Sequence, residues 1–141
     1  MRMPRRIGLN WLLTLLALLA ALPLAPAAAK EAKVPPVEHY VFGKLGTPTP
    51  GPVSGGLLLM GGGDRNIDAM KWFFAKAGNG HIVVISASYG KEMGQEFFHD
   101  VGGIQSVEIF VFHDRSQSTD PKILDRLRKA DGIFIAGGDQ S

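Results

Sequence analysis

Short apolar runs and helix-like amphipathic segments alternate along the chain from about residue 55 onward. Four runs rich in aliphatic and β-branched residues predict strands, and they are Leu57–Met60, His81–Ser86, Ser106–Phe112 and Ile133–Ala136. The segments between them carry apolar residues at helical spacing and predict helices over Asn66–Ala77, over Lys91–His99 and after Asp120. Asp120 followed by Pro121 is typical of an N-cap and a first-turn proline.

This order of elements predicts an α/β fold with a three-layer, mostly parallel sheet, because a helix between two parallel strands crosses over one face of the sheet. Ligands of such sheets bind beyond the carboxyl ends of the strands. We expect three segments at that edge: Gly61–Asp64, Ser86–Gly90 and Gly137–Gln140. The sequence stops directly after the fourth predicted strand, and we therefore expect the fold to be truncated after its fourth core strand.

The N-terminal residues have the three parts of a secretory signal peptide. Arg2, Arg5 and Arg6 supply the positive region, Ile7–Leu22 is apolar, and Ala27–Ala29 matches the small-residue cleavage pattern. We expect cleavage after Ala29 and a periplasmic or secreted product. The alternative is an uncleaved membrane anchor, although the apolar run is shorter than a comfortable span of about 20 residues.

These features divide the chain into three predicted parts. Residues 1–29 form the signal peptide, and residues 30–54 form a proline-rich extended segment in which Tyr40–Phe42 docks on the domain. Residues 55–141 form the N-terminal part of the α/β domain. The only membrane contact expected is through the signal peptide.

Charge and cysteine content exclude several classes of function. The chain has 15 basic and 13 acidic residues, but three of the basic residues belong to the predicted signal peptide, so the mature charge is close to neutral. No basic patch remains to indicate nucleic-acid binding. The chain has no cysteine, which excludes disulfides and thiolate zinc sites within it.

The glycine run Gly61–Asp64 does not match a dinucleotide site. Asn66 occupies the place of the last glycine in G-x-G-x-x-G, and no acidic residue follows the second strand. We therefore expect no cofactor. Gly62, Gly63 and Asp64 are secondary site candidates, because glycines allow the backbone to pass close to another loop or to a substrate.

Serines and histidines give no recognisable catalytic motif. The serines near the predicted edge are Ser86, Ser88 and Ser141, and none lies in a G-x-S-x-G elbow. Ser88 is a secondary candidate, with a structural role in the loop favoured. The histidines after residue 80 are His81, His99 and His113; none forms a metal-ligand pair in sequence, and no metal site is predicted. Asp114-Arg115 after the third strand predicts a solvated loop pair.

The final residues are the strongest site candidates. Gly137 and Gly138 follow a strand and could present unobstructed N–H groups to a developing oxyanion. Asp139 and Gln140 add a carboxylate and an amide at the same edge. The alternative is a strand-to-helix turn in which Asp139 caps the next helix, and the local pattern leaves both interpretations open.

A wider set of segments resembles the cyanophycinase-like serine peptidases. The resemblance runs from about residue 55 to the end and is carried by Leu58–Asp64, Phe73–Gly78, Ile82–Ile85 and Gly132–Gln140. It implies a flavodoxin-like, class I glutamine amidotransferase-like fold. It also implies hydrolysis of β-aspartyl-arginine polymer or short aspartyl peptides by a serine on a strand-to-helix elbow, with a downstream histidine and an acidic partner.

On this resemblance Gly137 and Gly138 would lie at the oxyanion hole and Gln140 in the substrate pocket. The nucleophile, its histidine and the acidic partner have no counterpart in the 141 residues, so we expect this chain to be an inactive fragment. The implied partner is a peptide or a cyanophycin-like polymer, and homodimerisation is left open. Two alternatives remain: a non-catalytic domain that binds a small ligand, and a class I amidotransferase-like protein that uses a cysteine.

Overall fold

Four strands form one mixed sheet. The computed structural model describes residues 33–137, in which β1 spans Glu38–Gly43, β2 His81–Ser86, β3 Ser106–Val111 and β4 Gly132–Ile135. The strand order is β1-β3-β2-β4. β2 pairs in parallel with both β3 and β4, and β1 pairs antiparallel with β3. The α/β class is confirmed, but the sheet is mixed.

The helices start where the local sequence predicts. α1 spans Ile67–Lys76, and its N-cap Asn66 accepts a hydrogen bond from the Ala69 N–H at 3.0 Å. α2 spans Gly90–Gln95 and continues as a π-helix over Glu96–Val101. A 3₁₀ turn covers Arg115–Thr119.

α3 spans Pro121–Arg128 and is capped by Asp120, whose side chain accepts from the Lys122 N–H at 2.8 Å. The predicted N-cap and first-turn proline are confirmed. α3 ends at Arg128, and β4 begins at Gly132, one residue before the predicted start of the strand.

The prediction of a strand at Leu57–Met60 was wrong. This segment has no strand partner among the described residues. Leu57 and Leu59 are 79% and 84% exposed, while Leu58 and Met60 pack against the core under α1 and α2. β4 pairs with the edge of β2, with Ile133 opposite Val83. The Leu57–Met60 segment buries alternate side chains and pairs with no strand of the described residues.

The proline-rich segment contributes the antiparallel edge strand β1. Tyr40 and Phe42 point towards α2, where Gly90 and Gly94 leave room for the two rings; a side chain at either glycine would collide with them. The predicted docking of Tyr40–Phe42 thus takes the form of strand pairing. Glycine is required here by close packing, because neither residue has a positive φ.

Helices cover both faces of the sheet unequally. α1 and α2 enclose a core that includes the fully buried Phe74 and Phe97. The ring of Phe97 lies 5.7 Å from that of Phe74 and 5.1 Å from that of Phe134. The other face is covered by α3 alone, and its core of buried residues is limited to Val83, Phe110 and Ile123.

The predicted signal peptide and the last four residues lie outside the described part of the chain. Within residues 33–137 no helix has the length and apolar character needed to cross a bilayer.

Candidate functional site at the carboxyl edge

An open cleft lies at the carboxyl ends of the three parallel strands. Its volume is about 460 Å³. Ile85 and Ser86 reach it from β2, Phe112 from the end of β3, and Ile135 from β4. The cleft thus lies at the edge where open α/β sheets bind ligands, on the face that α3 covers.

The floor of the cleft is aliphatic. Ile123 and Leu127 of α3 line it together with Ile85 and Ile135. Ile135 remains 75% exposed, since α3 does not extend over the end of β4. An exposed aliphatic surface inside a concave site is a common feature of ligand pockets.

The rim of the cleft is formed by the 3₁₀ turn, which contributes Arg115 and Ser118, with Asp114 just before it. Asp114 Oδ1 accepts hydrogen bonds from the Ser116 N–H at 2.8 Å and the Ser116 hydroxyl at 2.5 Å. These two donors lower the pKa of Asp114. Asp114 and Arg115, predicted to be a solvated loop pair, therefore lie at the start of a capped turn on the rim of the cleft.

Gln117 fixes this turn to the rest of the domain. Its Oε1 accepts from the His113 N–H at 2.8 Å, and its Nε2 donates to the Pro35 carbonyl at 2.6 Å. Asp114 and Gln117 together form a capping box. The backbone that carries Arg115 is therefore held in place from two directions.

In the turn between β2 and α2, a serine side chain forms hydrogen bonds with the backbone. The Ser86 hydroxyl donates to the Ser88 carbonyl and accepts from the Ser88 N–H at 3.0 Å. The backbone carbonyl and N–H of Ser88, a predicted site candidate, thus stabilise the turn. Tyr89, in the same turn, is 73% exposed and has a left-handed backbone with φ 61°.

The other predicted site residues are only partly brought together. Gly137 is the second residue after β4 and is exposed, whereas Gly138, Asp139 and Gln140 lie outside the described residues. Gly62 and Gly63 lie in the loop before α1, and no atom of the described chain lies within 4 Å of a side chain built at either one.

No other loop of the described residues comes close to these two glycines, and their close approach to a substrate stays a prediction. Gly63 is needed for its φ of 103°, which other residues rarely adopt. Asp64 is exposed in the same loop. The following residue, Arg65, turns away from the loop, because its Nε lies 2.7 Å from Glu96 Oε1 and its guanidinium covers the Phe97 ring.

A second polar cluster surrounds Glu108 on β3, which is 1% exposed. Its Oε1 accepts from His39 Nε2 at 2.8 Å, and its Oε2 accepts from Arg126 Nε at 2.7 Å. His81 Nε2 lies 3.3 Å from the same Oε2. Burial raises the pKa of Glu108, but the neighbouring His81, Arg126 and His39 side chains outweigh it and lower the pKa to about 2.

The Glu108 cluster also contains a serine, since His81 Nδ1 lies 2.8 Å from Ser106 Oγ. Serine, histidine and glutamate in this order have the residue types of a hydrolase triad. Ser106 is only 1% exposed, however, and its hydroxyl cannot reach a substrate. The cluster joins β1, β2, β3 and α3 and acts as a structural clamp.

Metal ligands do not gather in the described part of the chain. No group of three histidine, aspartate or glutamate side chains within residues 33–137 is arranged to hold a metal ion. His113 Nε2 instead lies 3.2 Å from Glu38 Oε1, and the ring of His99 packs edge-on against that of Phe42.

Comparisons of the chain with protein-family models, with curated proteins and with solved structures found no match.

Proposed function

We propose that the intact protein is an exported serine-type peptidase resembling the cyanophycinases, and that the carboxyl-edge cleft is its substrate site. One observation carries this proposal: the ends of β2, β3 and β4 converge on one open cleft, and Ala136, the residue before Gly137, lines it where β4 ends. The proposal includes the finer fold class, a flavodoxin-like or class I amidotransferase-like domain. Its substrates are aspartyl peptides or β-aspartyl-arginine polymer.

The proposed reaction is acyl transfer to a serine. A serine on a strand-to-helix elbow attacks the peptide carbonyl while a histidine takes its proton, and the same proton later passes to the leaving amine. Water then hydrolyses the acyl-enzyme. The backbone N–H groups near Gly138 stabilise the oxyanion, and Gln140 holds the substrate. The serine elbow and the histidine have no counterpart in these 141 residues.

A second candidate function is a non-catalytic domain that binds a small ligand. The residues described in the cleft lining favour it, because they include no histidine and the Ser86 hydroxyl is engaged with the Ser88 carbonyl. A class I amidotransferase-like protein with a cysteine elbow is the third hypothesis. All three functions place their ligand in the same cleft.

The test compares the 141-residue chain with any longer product of the same gene. We expect the 141-residue chain to hydrolyse neither β-aspartyl-arginine nor aspartyl dipeptides, and to resist a serine-reactive phosphonate probe. A longer product with a serine elbow should turn over substrate. Turnover by the 141-residue chain, or labelling of Ser86, Ser88 or Ser141, would contradict the proposal. A cysteine elbow would favour the amidotransferase, and an absent elbow the binding domain.

The oxyanion role is tested in the longer product. Gly138→Val should lower kcat and kcat/KM together, since it removes transition-state stabilisation, and a lost oxyanion donor typically costs about 2.7–4 kcal/mol. Gln140→Ala should mainly raise KM if its amide binds ground state and transition state alike. Wild-type kinetics in a folded Gly138→Val protein would exclude the oxyanion assignment.

Export is tested separately by N-terminal sequencing and intact mass. We expect the exported protein to begin at Lys30. A product that keeps Met1–Ala29 would instead support an uncleaved anchor.

A further inference from the structure

We infer that Arg115 selects the ligand of the carboxyl-edge cleft by pairing with a carboxylate, and that the aliphatic floor selects an apolar group attached to that carboxylate. This inference rests on the proposed function in one respect, because it takes the cleft as the substrate site. It names a specificity-determining residue, Arg115, that the sequence pattern had assigned to a solvated loop.

Arg115 is the charged residue of the cleft that is available to a ligand. Among the described lining residues it is the one cation, and Asp114 is the one carboxylate. Asp114 is engaged by both donors of Ser116. Within residues 33–137 the guanidinium of Arg115 takes part in none of the ion pairs. Its donors are therefore available to a ligand.

The scaffold under Arg115 is suited to recognition. The capping box of the 3₁₀ turn and the bond from Gln117 to the Pro35 carbonyl fix the backbone position of Arg115. A group held in place before binding loses less conformational entropy when the ligand arrives. A guanidinium also matches a carboxylate with two parallel hydrogen bonds, which gives direction as well as charge.

The aliphatic floor of the cleft determines which ligand group can lie next to the carboxylate. Ile135 and Ile85 lie beside Ile123 and Leu127 of α3, and an aliphatic ligand group placed there removes apolar surface from water on both sides. An arginine side chain fits the floor less well than an aliphatic one, because the floor residues offer it no carboxylate and Arg115 repels a second guanidinium. The cleft thus suits a carboxylate next to an aliphatic group better than a carboxylate next to arginine.

The carboxylate could come from an acidic side chain or from a peptide C-terminus, and four probes separate these sources. Acetyl-Asp-Leu-amide carries a side-chain carboxylate and acetyl-Asn-Leu a terminal one. Acetyl-Asn-Leu-amide carries neither, and acetyl-Asp-Arg-amide replaces the aliphatic group. Binding of each probe to the full 141-residue chain is measured by NMR titration or calorimetry.

We expect at least one carboxylate probe with leucine to bind about 10- to 100-fold more tightly than the neutral probe, as for a hydrogen bond to a charged group. Arg115→Gln should remove this preference, and Arg115→Lys should restore part of it. The matched control is Arg128→Gln, an exposed arginine in the last turn of α3, which should leave the preference unchanged.

Ile135→Ser tests the floor independently. It should weaken the leucine probes without affecting the ratio of charged to neutral binding, and Ile135 is exposed enough for the variant to fold. Equal binding of charged and neutral probes, binding of none of them at millimolar concentration, or a preference that survives Arg115→Gln would each overturn the inference. These binding assays need no turnover. If the chain shows the carboxylate preference but its longer product does not hydrolyse peptides, the peptidase proposal is contradicted and the inference about Arg115 still holds.

Discussion

The two faces of the sheet are built for different purposes. Under α1 and α2, twelve buried residues form one continuous core with a cluster of phenylalanine rings. Under α3 the buried core has three residues, and the remaining surface is divided between the Glu108 cluster and the carboxyl-edge cleft. One eight-residue helix cannot cover four strands, and the uncovered part is where a ligand can enter.

This difference suggests that stability and recognition are separated across the sheet. Packing on the α1–α2 face is apolar and dense, so changes there should act on folding. The α3 face is held by directional charged hydrogen bonds at one end and left open at the other. Changes at its open end should act on binding with little loss of stability.

The largest effect is expected at Phe97. Phe97→Ala removes a fully buried ring that contacts Phe74 and Phe134 and should cost about 3–5 kcal/mol of the free energy of unfolding. The matched change on the other face is Phe112→Ala, at a half-buried residue of the cleft, which should cost about half as much or less. Urea denaturation measures both, and equal losses would contradict the asymmetry.

The second-largest loss of stability is expected at Glu108, in the structural clamp on the α3 face. Glu108→Gln removes the charge that receives hydrogen bonds from His39 and Arg126 and should cost about 1.5–3 kcal/mol at neutral pH. Glu96→Gln is the control, because the Arg65–Glu96 pair is partly exposed and such pairs contribute about 1 kcal/mol or less. A larger loss of unfolding free energy from Glu96→Gln than from Glu108→Gln would contradict the expectation that the stronger charged interaction lies on the α3 face.

The clamp should also respond to acid. The pKa of Glu108 is lowered from 4.5 to about 2 in the folded protein, so below pH 4.5 the unfolded chain binds a proton that the folded chain does not. The stabilisation is complete above that pH and is lost as the pH falls towards 2. The stability difference between wild type and Glu108→Gln should therefore shrink between pH 5 and pH 3 in urea titrations. A constant difference would exclude this linkage.

The smallest effect is expected at Tyr89 and has the opposite sign. Tyr89→Gly should raise the free energy of unfolding by about 1 kcal/mol, because glycine adopts the left-handed backbone at φ 61° without strain. Asn79→Gly is the control with φ 54°, and it should gain less because asparagine tolerates this conformation. Thermal denaturation measures both, and destabilisation by Tyr89→Gly would show that the exposed ring makes contacts that matter.

The sequence predicts local features well because their causes are local. Asn66 and Asp120 cap helices by bonding to N–H groups two or three residues away. The run at His81–Ser86 is apolar enough to be a central strand in any arrangement. The position of the carboxyl-edge cleft also followed from the alternation of strands and helices, since this alternation places strand ends together.

Features that depend on pairing could not be predicted in the same way. Leu57–Met60 and β4 are both apolar, and their local sequences do not distinguish β4, which pairs with β2, from Leu57–Met60, which pairs with no strand of the described residues. The Glu108 cluster requires His81 to lie opposite Ser106, a register that no local pattern encodes. Arg115 looked like a solvated loop residue because the cleft beside it is formed by β2, β4 and α3.

The edge strand β1 has a consequence for how the chain acquires its structure during synthesis. β1 is made before its partner β3; His39 and the Glu108 that binds it are 69 positions apart. Contacts between distant segments slow folding, because the intervening chain must be closed into a loop before they form. Tyr40 and Phe42 stay uncovered until α2 and β3 have been synthesised, so the first strand to emerge must wait for its partner before it can be paired.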